Sequence, residues 1–149
     1  MSTDALGDAQ RALVSALVAD GPVPKGFDAG RVAAVRSALL RKRAGDVARA
    51  WPGLAASYGD RWYGEFTAWA GGRPPLGSFA DGFAFATDAD AAGDLAPLAR
   101  QELAERQVRC APGPDGLPRR RRGFAARGAG GWLLVGVAGR VRRIWPLRG

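Results

Sequence analysis

The segment Ala111–Pro118 divides the chain into two parts with different sequence patterns. Its three prolines and two glycines suit neither a helix nor a strand, so we predict a linker there. Apolar residues before it recur at helical spacing, whereas short apolar segments after it alternate with glycine-rich turns. The sequence therefore predicts an α+β protein, with a helical domain over 1–110, a linker over 111–118 and a basic β-meander over 119–149.

The helical part contains several amphipathic segments with recognisable start signals. Asp28 and Asp60 are predicted helix caps, and Ser78 followed by Asp81 is a typical start signal. Apolar spacing predicts helices over 4–19, from Asp28 to about Trp51, from Asp60, from Ser78, and from Leu95 to about Arg109, with a short helical turn over 54–58. On the last helix, we expect Glu102, Glu105 and Arg106 on the solvated side.

Large apolar residues at helical spacing indicate the core of this domain. Trp62, Phe66 and Trp69 lie at positions i, i+4 and i+7; they indicate a packing stripe, with a ligand platform as the alternative. The predicted core contains Leu13, Leu17, Val32, Leu39, Val47, Trp51, Trp62, Phe66, Trp69, Phe79 and Phe83.

Three short extended segments follow the linker, over 124–127, 132–137 and 140–145, separated by glycine-containing turns. This pattern predicts a three-stranded antiparallel meander. A sheet of this size is too small to be stable alone, so it should pack against the helices or against a partner.

The positive charge of the chain is concentrated at its C-terminal end. Residues 1–118 carry 13 Lys and Arg and 14 Asp and Glu, whereas residues 119–149 carry nine Arg and no acid. Such a segment attracts anions: nucleic-acid phosphates, an acidic peptide, or an acidic face of a partner protein. Arginine greatly outnumbers lysine, which suits bidentate contacts with carboxylate or phosphate but is equally typical of a GC-rich genome.

Basic and aromatic residues are interleaved in this C-terminal segment, and we take them as the candidate binding site. Basic residues with aromatics on a sheet bind single-stranded nucleic acid by stacking and phosphate contact. They also flank sheet edges that accept a peptide as an added strand. A solvated basic appendage without a ligand is the third interpretation. The candidate peptide- or anion-binding residues are Arg120, Arg122, Trp132, Arg140, Arg142, Arg143 and Trp145.

Two arginines of the second predicted helix, Arg36 and Arg43, are one heptad apart and project into its apolar arc. One interpretation is that their stems cover the core boundary while their charges reach solvent. The other is that they form a docking face for an acidic partner.

The composition excludes several kinds of chemistry. The chain has no histidine, which excludes His-dependent catalytic triads and His-containing zinc sites, and its single cysteine, Cys110, is interpreted as an incidental thiol. The segment Asp88–Asp94 resembles the start of a calcium loop but lacks the bidentate Glu, so we interpret it as a turn before a helix. We therefore predict no catalytic residue, no metal and no cofactor, and a protein that is not an enzyme.

Membrane and export signals are also missing from the pattern. The run Trp132–Ala138 is far shorter than the roughly 20 residues that a membrane helix needs. The first 20 residues contain acids at Asp4 and Asp8 and do not resemble a signal peptide. We predict a cytoplasmic protein without membrane contact.

Between Arg31 and about Ala86, the chain contains a series of motifs in the order typical of a known family. The motifs are Arg31-Val-Ala-Ala-Val-Arg36, Ala50-Trp51-Pro52 with Leu54 and Gly59, Phe66, Arg73-Pro74-Pro75, and Ser78-Phe-Ala-Asp81-Gly82-Phe83. That family is named for a DNA-binding domain, and its small proteins accompany multinuclear non-haem iron oxidative enzymes in ribosomal peptide natural-product pathways. The full chain is similar to a short actinobacterial version.

The resemblance implies that the helical domain docks on the iron enzyme and that a C-terminal winged-helix-like domain binds the leader of the precursor peptide by strand addition. The chain departs from the family in having about 31 residues where the family has a winged-helix-like domain. We therefore expect an accessory protein whose partners are an iron-dependent oxidative enzyme and its precursor peptide. The alternative is a small basic nucleic-acid-binding protein.

Overall fold

A computed structural model describes residues 3–129, 131–137 and 140–146, and the chain is α+β as predicted. Its helices are α1 Thr3–Val18, α2 Ala29–Ala50, α3 Pro52–Tyr58, α4 Trp62–Ala70, α5 Ser78–Ala91 and α6 Pro97–Arg109, with a 3-10 turn over Gly59–Arg61. Its strands are β1 Cys110–Pro112, β2 Pro118–Arg120, β3 Phe124–Ala129, β4 Trp132–Val137 and β5 Arg140–Pro146.

Of the predicted helix starts, the one at α2 is capped as expected, whereas no side chain caps the first turn of α4 or of α5. Asp28 behaves as predicted, since its carboxylate accepts the Arg31 N–H at 2.7 Å. Asp60 was expected to cap α4 but lies in the 3-10 turn, and the residue before α4 is Arg61, which makes no capping bond with its side chain. At α5, Asp81 accepts the N–H of Leu76 at 3.1 Å and so fixes the loop that leads into the helix.

The contacts divide the chain into two compact units. The first unit runs to Asp46 and includes Asp60–Pro75, and the second comprises Val47–Gly59 and the chain from Leu76 onwards. The predicted domain boundary at 111–118 does not coincide with this division, and it stays a prediction about which part of the chain folds independently.

The first unit has an aromatic core on α4. Trp62 and Phe66 are buried, and the Trp62 indole N–H donates to the carbonyl of Ala44 on α2 at 3.1 Å. The Phe66 ring lies 5.2 Å from the Trp62 ring and 5.5 Å from the half-buried Trp69 ring, between centroids. These contacts favour the packing interpretation of the stripe over a ligand platform.

The predicted core is too wide on α1 and α2. Leu39 was expected inside but is 40% exposed, while Leu13 and Leu17 are only half-buried. Val32 of α2 is buried as predicted, and Ala44 of α2 and Ala16 of α1, which were not in the predicted core, are buried as well. The apolar arc of α2 is broader than the surface that its neighbours cover, so its edge, with Leu39, stays in solvent.

The second unit is built around Trp51. Its ring packs against Phe79 and Phe83 of α5 with centroids 5.6 and 6.2 Å apart, and its N–H donates to the Phe79 carbonyl at 3.1 Å. Gly82 lets α5 approach this closely, because a Cβ at that position would lie 2.3 Å from Trp51 Cδ1. Phe83 is buried as predicted, whereas Phe79 is half-buried.

The prediction that Glu102 and Arg106 lie on a solvated side of α6 is wrong. The Glu102 side chain is only 14% exposed and accepts the N–H of Leu54 at 2.7 Å, in the first turn of α3. Arg106 contacts Glu102 at 3.2 Å, donates to the Ala50 carbonyl at 3.0 Å and stacks over the Trp51 ring at 4.8 Å. The pair therefore joins the end of α2 to the start of α3, a junction that the pattern of α6 alone does not reveal.

The predicted linker 111–118 is not an irregular segment. Strands β1 and β2 pair in antiparallel fashion, with Ala111 opposite Arg119 and Pro112 opposite Pro118. Gly116 has a φ of +75° in the turn between them, a conformation that glycine adopts without strain. The prolines sit at the ends of two very short strands, where a missing N–H costs least, so a hairpin forms where no strand was expected.

Strands β3, β4 and β5 form the predicted three-stranded antiparallel meander, with β4 in the centre. Residues Phe124 and Val137 face each other across β3 and β4, and Val137 faces Arg140 across β4 and β5. A register irregularity lies between Trp132 and Leu134. In the described ranges, no helix has the length and apolar character required to cross a membrane.

Candidate functional site: the C-terminal sheet

The inner face of the β3–β4–β5 sheet packs on α6. Leu134 and Ala129 are buried together with Ala104 and Val108 of that helix. Gly136 of β4 makes this approach possible, because a Cβ there would lie 2.3 Å from Val108 Cγ1 and 3.0 Å from its carbonyl oxygen. The sheet therefore leans on the helices, as its small size predicts.

The outer face of the sheet carries apolar side chains beside two arginines. The outer face consists of Phe124 and Ala126 on β3, Val135 and Val137 on β4, and Arg140, Arg142 and Ile144 on β5. A groove of about 550 Å³ lies over Val135, Val137 and the β5 residues. Phe124 is 70% exposed, Val137 57% and Ile144 48%, whereas Val135 in the centre of the face is buried, so the exposed apolar residues lie around a covered centre.

The candidate arginines of β5 do not form one group. Arg140 and Arg142 are exposed and lie on the outer face. Arg143 alternates to the other side, opposite Leu134, and its guanidinium donates to Glu105 of α6 at 2.7 Å. Successive side chains of a strand point to opposite faces, which separates Arg143 from its neighbours.

The two tryptophans predicted for the site are also not beside Arg140 and Arg142. Trp132 lies opposite Ala129, a residue of the inner cluster, and is 41% exposed. Trp145 belongs to β5, but its side chain lies outside the described part of the structure.

Alternation also divides the arginine run 119–122. Arg119 contacts Asp115 at 3.0 Å, and Arg121 donates to the carbonyl of Gln107 at 2.8 Å. Arg120 and Arg122, the two residues predicted for the site, are exposed. Arg119 and Arg121 thus have partners in the β1–β2 hairpin and α6, although the Arg119 side chain is largely exposed, as are Arg120 and Arg122.

Asp115, in the turn of this hairpin, has a perturbed pKa. The hydrogen bond from the Arg119 guanidinium holds the pKa of Asp115 below its ordinary value, and the Leu117 N–H at 3.2 Å acts in the same direction. The carboxylate therefore stays ionised and bound to the turn at neutral pH.

The two predicted docking arginines of α2 make contacts within the first unit. Arg36 donates to the Ala16 and Gly21 carbonyls at the end of α1 and pairs with Asp20. Arg43 donates to the Arg73 carbonyl at 2.7 Å and lies 6.0 Å from the Phe66 ring centroid. These contacts favour the structural interpretation, and docking through Arg36 and Arg43 stays a prediction.

The apolar part of the outer face is not among the binding residues predicted from the sequence. Phe124, Val135, Val137 and Ile144 lie in the predicted strands, but the predicted site contains only arginines and tryptophans. The signal was present in β4, whose residues Trp132–Val137 are all apolar or glycine. A strand covered on one face alternates apolar and polar residues, whereas a continuous apolar run is typical of a strand covered on both. Among the described residues, His, Cys, Asp and Glu do not cluster in a way that would hold a metal.

The family match lies in the helical residues and does not reach the sheet. A family profile described as "SCO6045-like, C-terminal domain" matches residues 7–91, and no solved structure matches the chain. A UPF0276 protein of Streptomyces avermitilis is 42% identical over 71 residues, which are 48% of this chain and 15% of that protein. The chain thus matches only a small share of that relative's length. Because the profile covers more than half of its residues, the chain belongs to the SCO6045-like C-terminal domain family.

Proposed function

We propose that this chain is a non-enzymatic accessory protein that binds a multinuclear non-haem iron oxidative enzyme and helps to recruit its precursor-peptide substrate. The observation that carries the proposal is the open outer face of the β3–β4–β5 sheet, where exposed apolar side chains lie beside Arg140 and Arg142. Such a surface suits a peptide with both apolar and acidic residues.

The size of the relative supports an accessory role. In the Streptomyces avermitilis protein, the similar segment is joined to a remainder several times longer than itself. Covalent joining holds two modules at a high effective concentration, which benefits a module that serves the rest of the protein. The family description as a C-terminal domain fits the same arrangement. In our proposal, this chain makes the corresponding contact with its enzyme without a covalent link.

The helical residues are the better candidates for the contact with the enzyme. Their charge is nearly balanced, which gives phosphate little to bind. They also expose apolar side chains, among them Val14 on α1, Val35 and Leu39 on α2, and Tyr63 on α4. Scattered exposed apolar residues are normal, but Val35 and Leu39 are one helical turn apart and form a continuous strip.

Nucleic-acid binding is the second candidate function. Exposed Phe124 lies on the same face of the sheet as Arg140 and Arg142, two strands away, and an aromatic ring and arginines on one face suit base stacking and phosphate contact. Most of the charge that would serve phosphates is confined to the last strands, whereas a nucleic-acid-binding protein of this size usually spreads it over a recognition element.

One set of variants tests both functions. The chain is titrated with the precursor peptide encoded by a neighbouring gene and with a labelled duplex and single strand, at low and near-physiological salt. The double variant Arg140→Glu/Arg142→Glu should abolish peptide binding but retain the iron enzyme in co-purification. The matched control is Arg127→Glu, an exposed arginine of β3 on the opposite face, which should bind the peptide normally.

Three outcomes would overturn the proposal. Failure of the iron enzyme to co-purify with the wild-type chain would contradict the docking role. Failure to bind the peptide would contradict recruitment. Submicromolar nucleic-acid binding without peptide binding, with log affinity falling linearly with log salt, would favour the second function instead.

A further inference from the structure

The central strand of the C-terminal sheet has a composition that its surroundings do not explain. Residues Trp132–Val137 of β4 are apolar or glycine on both faces, yet α6 covers only the inner face. On the outer face, Val135 is buried, but Val137 remains 57% exposed. Continuous apolar strands are typical of sheets with a layer on each side. The outer face therefore has the character of a surface that another element covers.

The dimensions of this face fit one helix. Two inter-strand spacings make the sheet about 10 Å wide, which is the diameter of a single α-helix. Strands of six residues are about 20 Å long, which corresponds to roughly 13 residues of helix. The inner face is covered in this way by α6, which has 13 residues. A strand added at an edge would extend the sheet but leave the outer face in solvent.

The charge distribution on the outer face specifies which side of such a helix is apolar and which is acidic. On the outer face, the apolar side chains of Phe124, Val135 and Val137 lie on β3 and β4, whereas β5 carries Arg140 and Arg142, followed by the apolar Ile144. A covering helix therefore needs an apolar stripe over the first two strands and acidic residues along the flank that faces β5.

The extent of the family match favours the peptide over the enzyme as the source of this helix. The profile ends at residue 91, so the sheet lies outside the part that this chain shares with its family. A contact common to the family would use the matched helical residues, and the sheet would serve a ligand particular to this chain.

We propose that the outer face of the β3–β4–β5 sheet binds the precursor peptide as an amphipathic α-helix of three to four turns with acidic residues along one flank. The identity of the ligand rests on the proposed function. Its helical form and the placement of its apolar and acidic residues rest on the dimensions and charges of the sheet.

The test uses two synthetic labelled peptides of identical composition, each of about 14 residues and built from leucine, alanine and glutamate. One places leucine and glutamate on adjacent faces of a helix, and the other alternates them as in a strand. Fluorescence anisotropy with the full chain should show that the helical probe binds more tightly, and circular dichroism should show that it gains helix on binding.

Matched variants locate the binding surface. Arg142→Glu should weaken the helical probe at least about tenfold, and Arg127→Glu less than about twofold, since the two lie on opposite faces of the sheet. Phe124→Ser should weaken it similarly, whereas Leu98→Ser, an exposed leucine of α6, should not. Unchanged thermal unfolding verifies that each variant is folded.

Amide exchange separates the face from the edge. A helix on the outer face leaves the free backbone groups of β5 open, whereas an added strand slows exchange along that edge. Tighter binding of the alternating probe with slowed exchange in β5, or no binding of either probe, would overturn the inference. Co-purification of the iron enzyme is measured in parallel, so either result would leave the docking part of the proposed function standing.

Discussion

Tryptophan and arginine occur in both the helical part of the chain and the C-terminal strands, and the two regions use them in opposite ways. In the helical part, the Trp51 and Trp62 indoles are buried with their N–H groups bonded to carbonyls, and Arg106 stacks on Trp51. In the strands, Trp132 is partly exposed, and Arg142 lies on an open face. A basic residue in this chain is thus a candidate for binding only where no carbonyl or carboxylate of the fold already engages it.

The largest expected difference between the two regions concerns tryptophan. Trp62→Ala or Phe66→Ala should reduce the free energy of unfolding by about 3 to 5 kcal/mol, because either leaves a large cavity in the core of the first unit. Trp132→Ala should cost only about 1 kcal/mol, since its ring is partly in solvent. Denaturant unfolding measures all three, and equal costs at Trp62 and Trp132 would remove the contrast.

The next effect concerns arginine. Arg106→Met keeps much of the side-chain length but leaves Glu102 buried without its partner and loses the bond to the Ala50 carbonyl, so it should cost about 2 to 3 kcal/mol. Arg142→Met, with no such contact to lose, should change stability by less than about 0.5 kcal/mol. Urea midpoints of the two variants provide the measurement. A costly Arg142→Met would mean that the outer face stabilises the fold.

A smaller effect tests how closely the inner face of the sheet packs on α6. Gly136→Ala places a methyl group against Val108 and should cost about 1 to 3 kcal/mol by forcing the sheet away from α6. Gly123→Ala, where a Cβ meets nothing within 4 Å, should be neutral within about 0.5 kcal/mol. Thermal unfolding of the pair is the measurement. A neutral Gly136→Ala would indicate that the inner face is loosely packed.

The smallest expected effect is a pH dependence in the β1–β2 hairpin. The pKa of Asp115 is lowered in the fold, so its stabilising contribution is present above its unfolded pKa of about 3.9 and is lost as pH falls through the lower folded value. NMR titration of the Asp115 carboxyl should show the lowered pKa, and Arg119→Gln should raise it towards the ordinary value. An unchanged titration in Arg119→Gln would contradict the assigned cause.

Local patterns predicted the helices and the β3–β4–β5 meander well, but they missed the β1–β2 hairpin and predicted the junctions poorly. The end of α1 before Gly21, the cap at Asp28 and the three strands of the meander follow from residues close in sequence. The burial of Glu102 and Arg106 depends on where the ends of α2 and α3 lie in space, roughly 50 residues away in sequence. Nothing in the pattern of α6 carries that information, because the same charges at i and i+4 are typical of a solvated helix face.

The candidate site was predictable in part. Its charge and its strands were evident, and strict alternation along 140–144 would have separated Arg143 from Arg140 and Arg142. The pairing of Phe124 with Val137 was not predictable, because it depends on the register of β3 against β4.

The arginines of β5 also affect whether copies of the chain associate through this edge strand. An open edge strand is a template for pairing with the same edge of a second molecule. Two β5 edges brought together would place the exposed Arg140 and Arg142 of one copy near those of the other, whereas Arg143 is already paired with Glu105. This mutual repulsion should disfavour the pairing of two β5 edges. Added salt screens the repulsion and should therefore promote self-association, the opposite of its effect on a complex with phosphate.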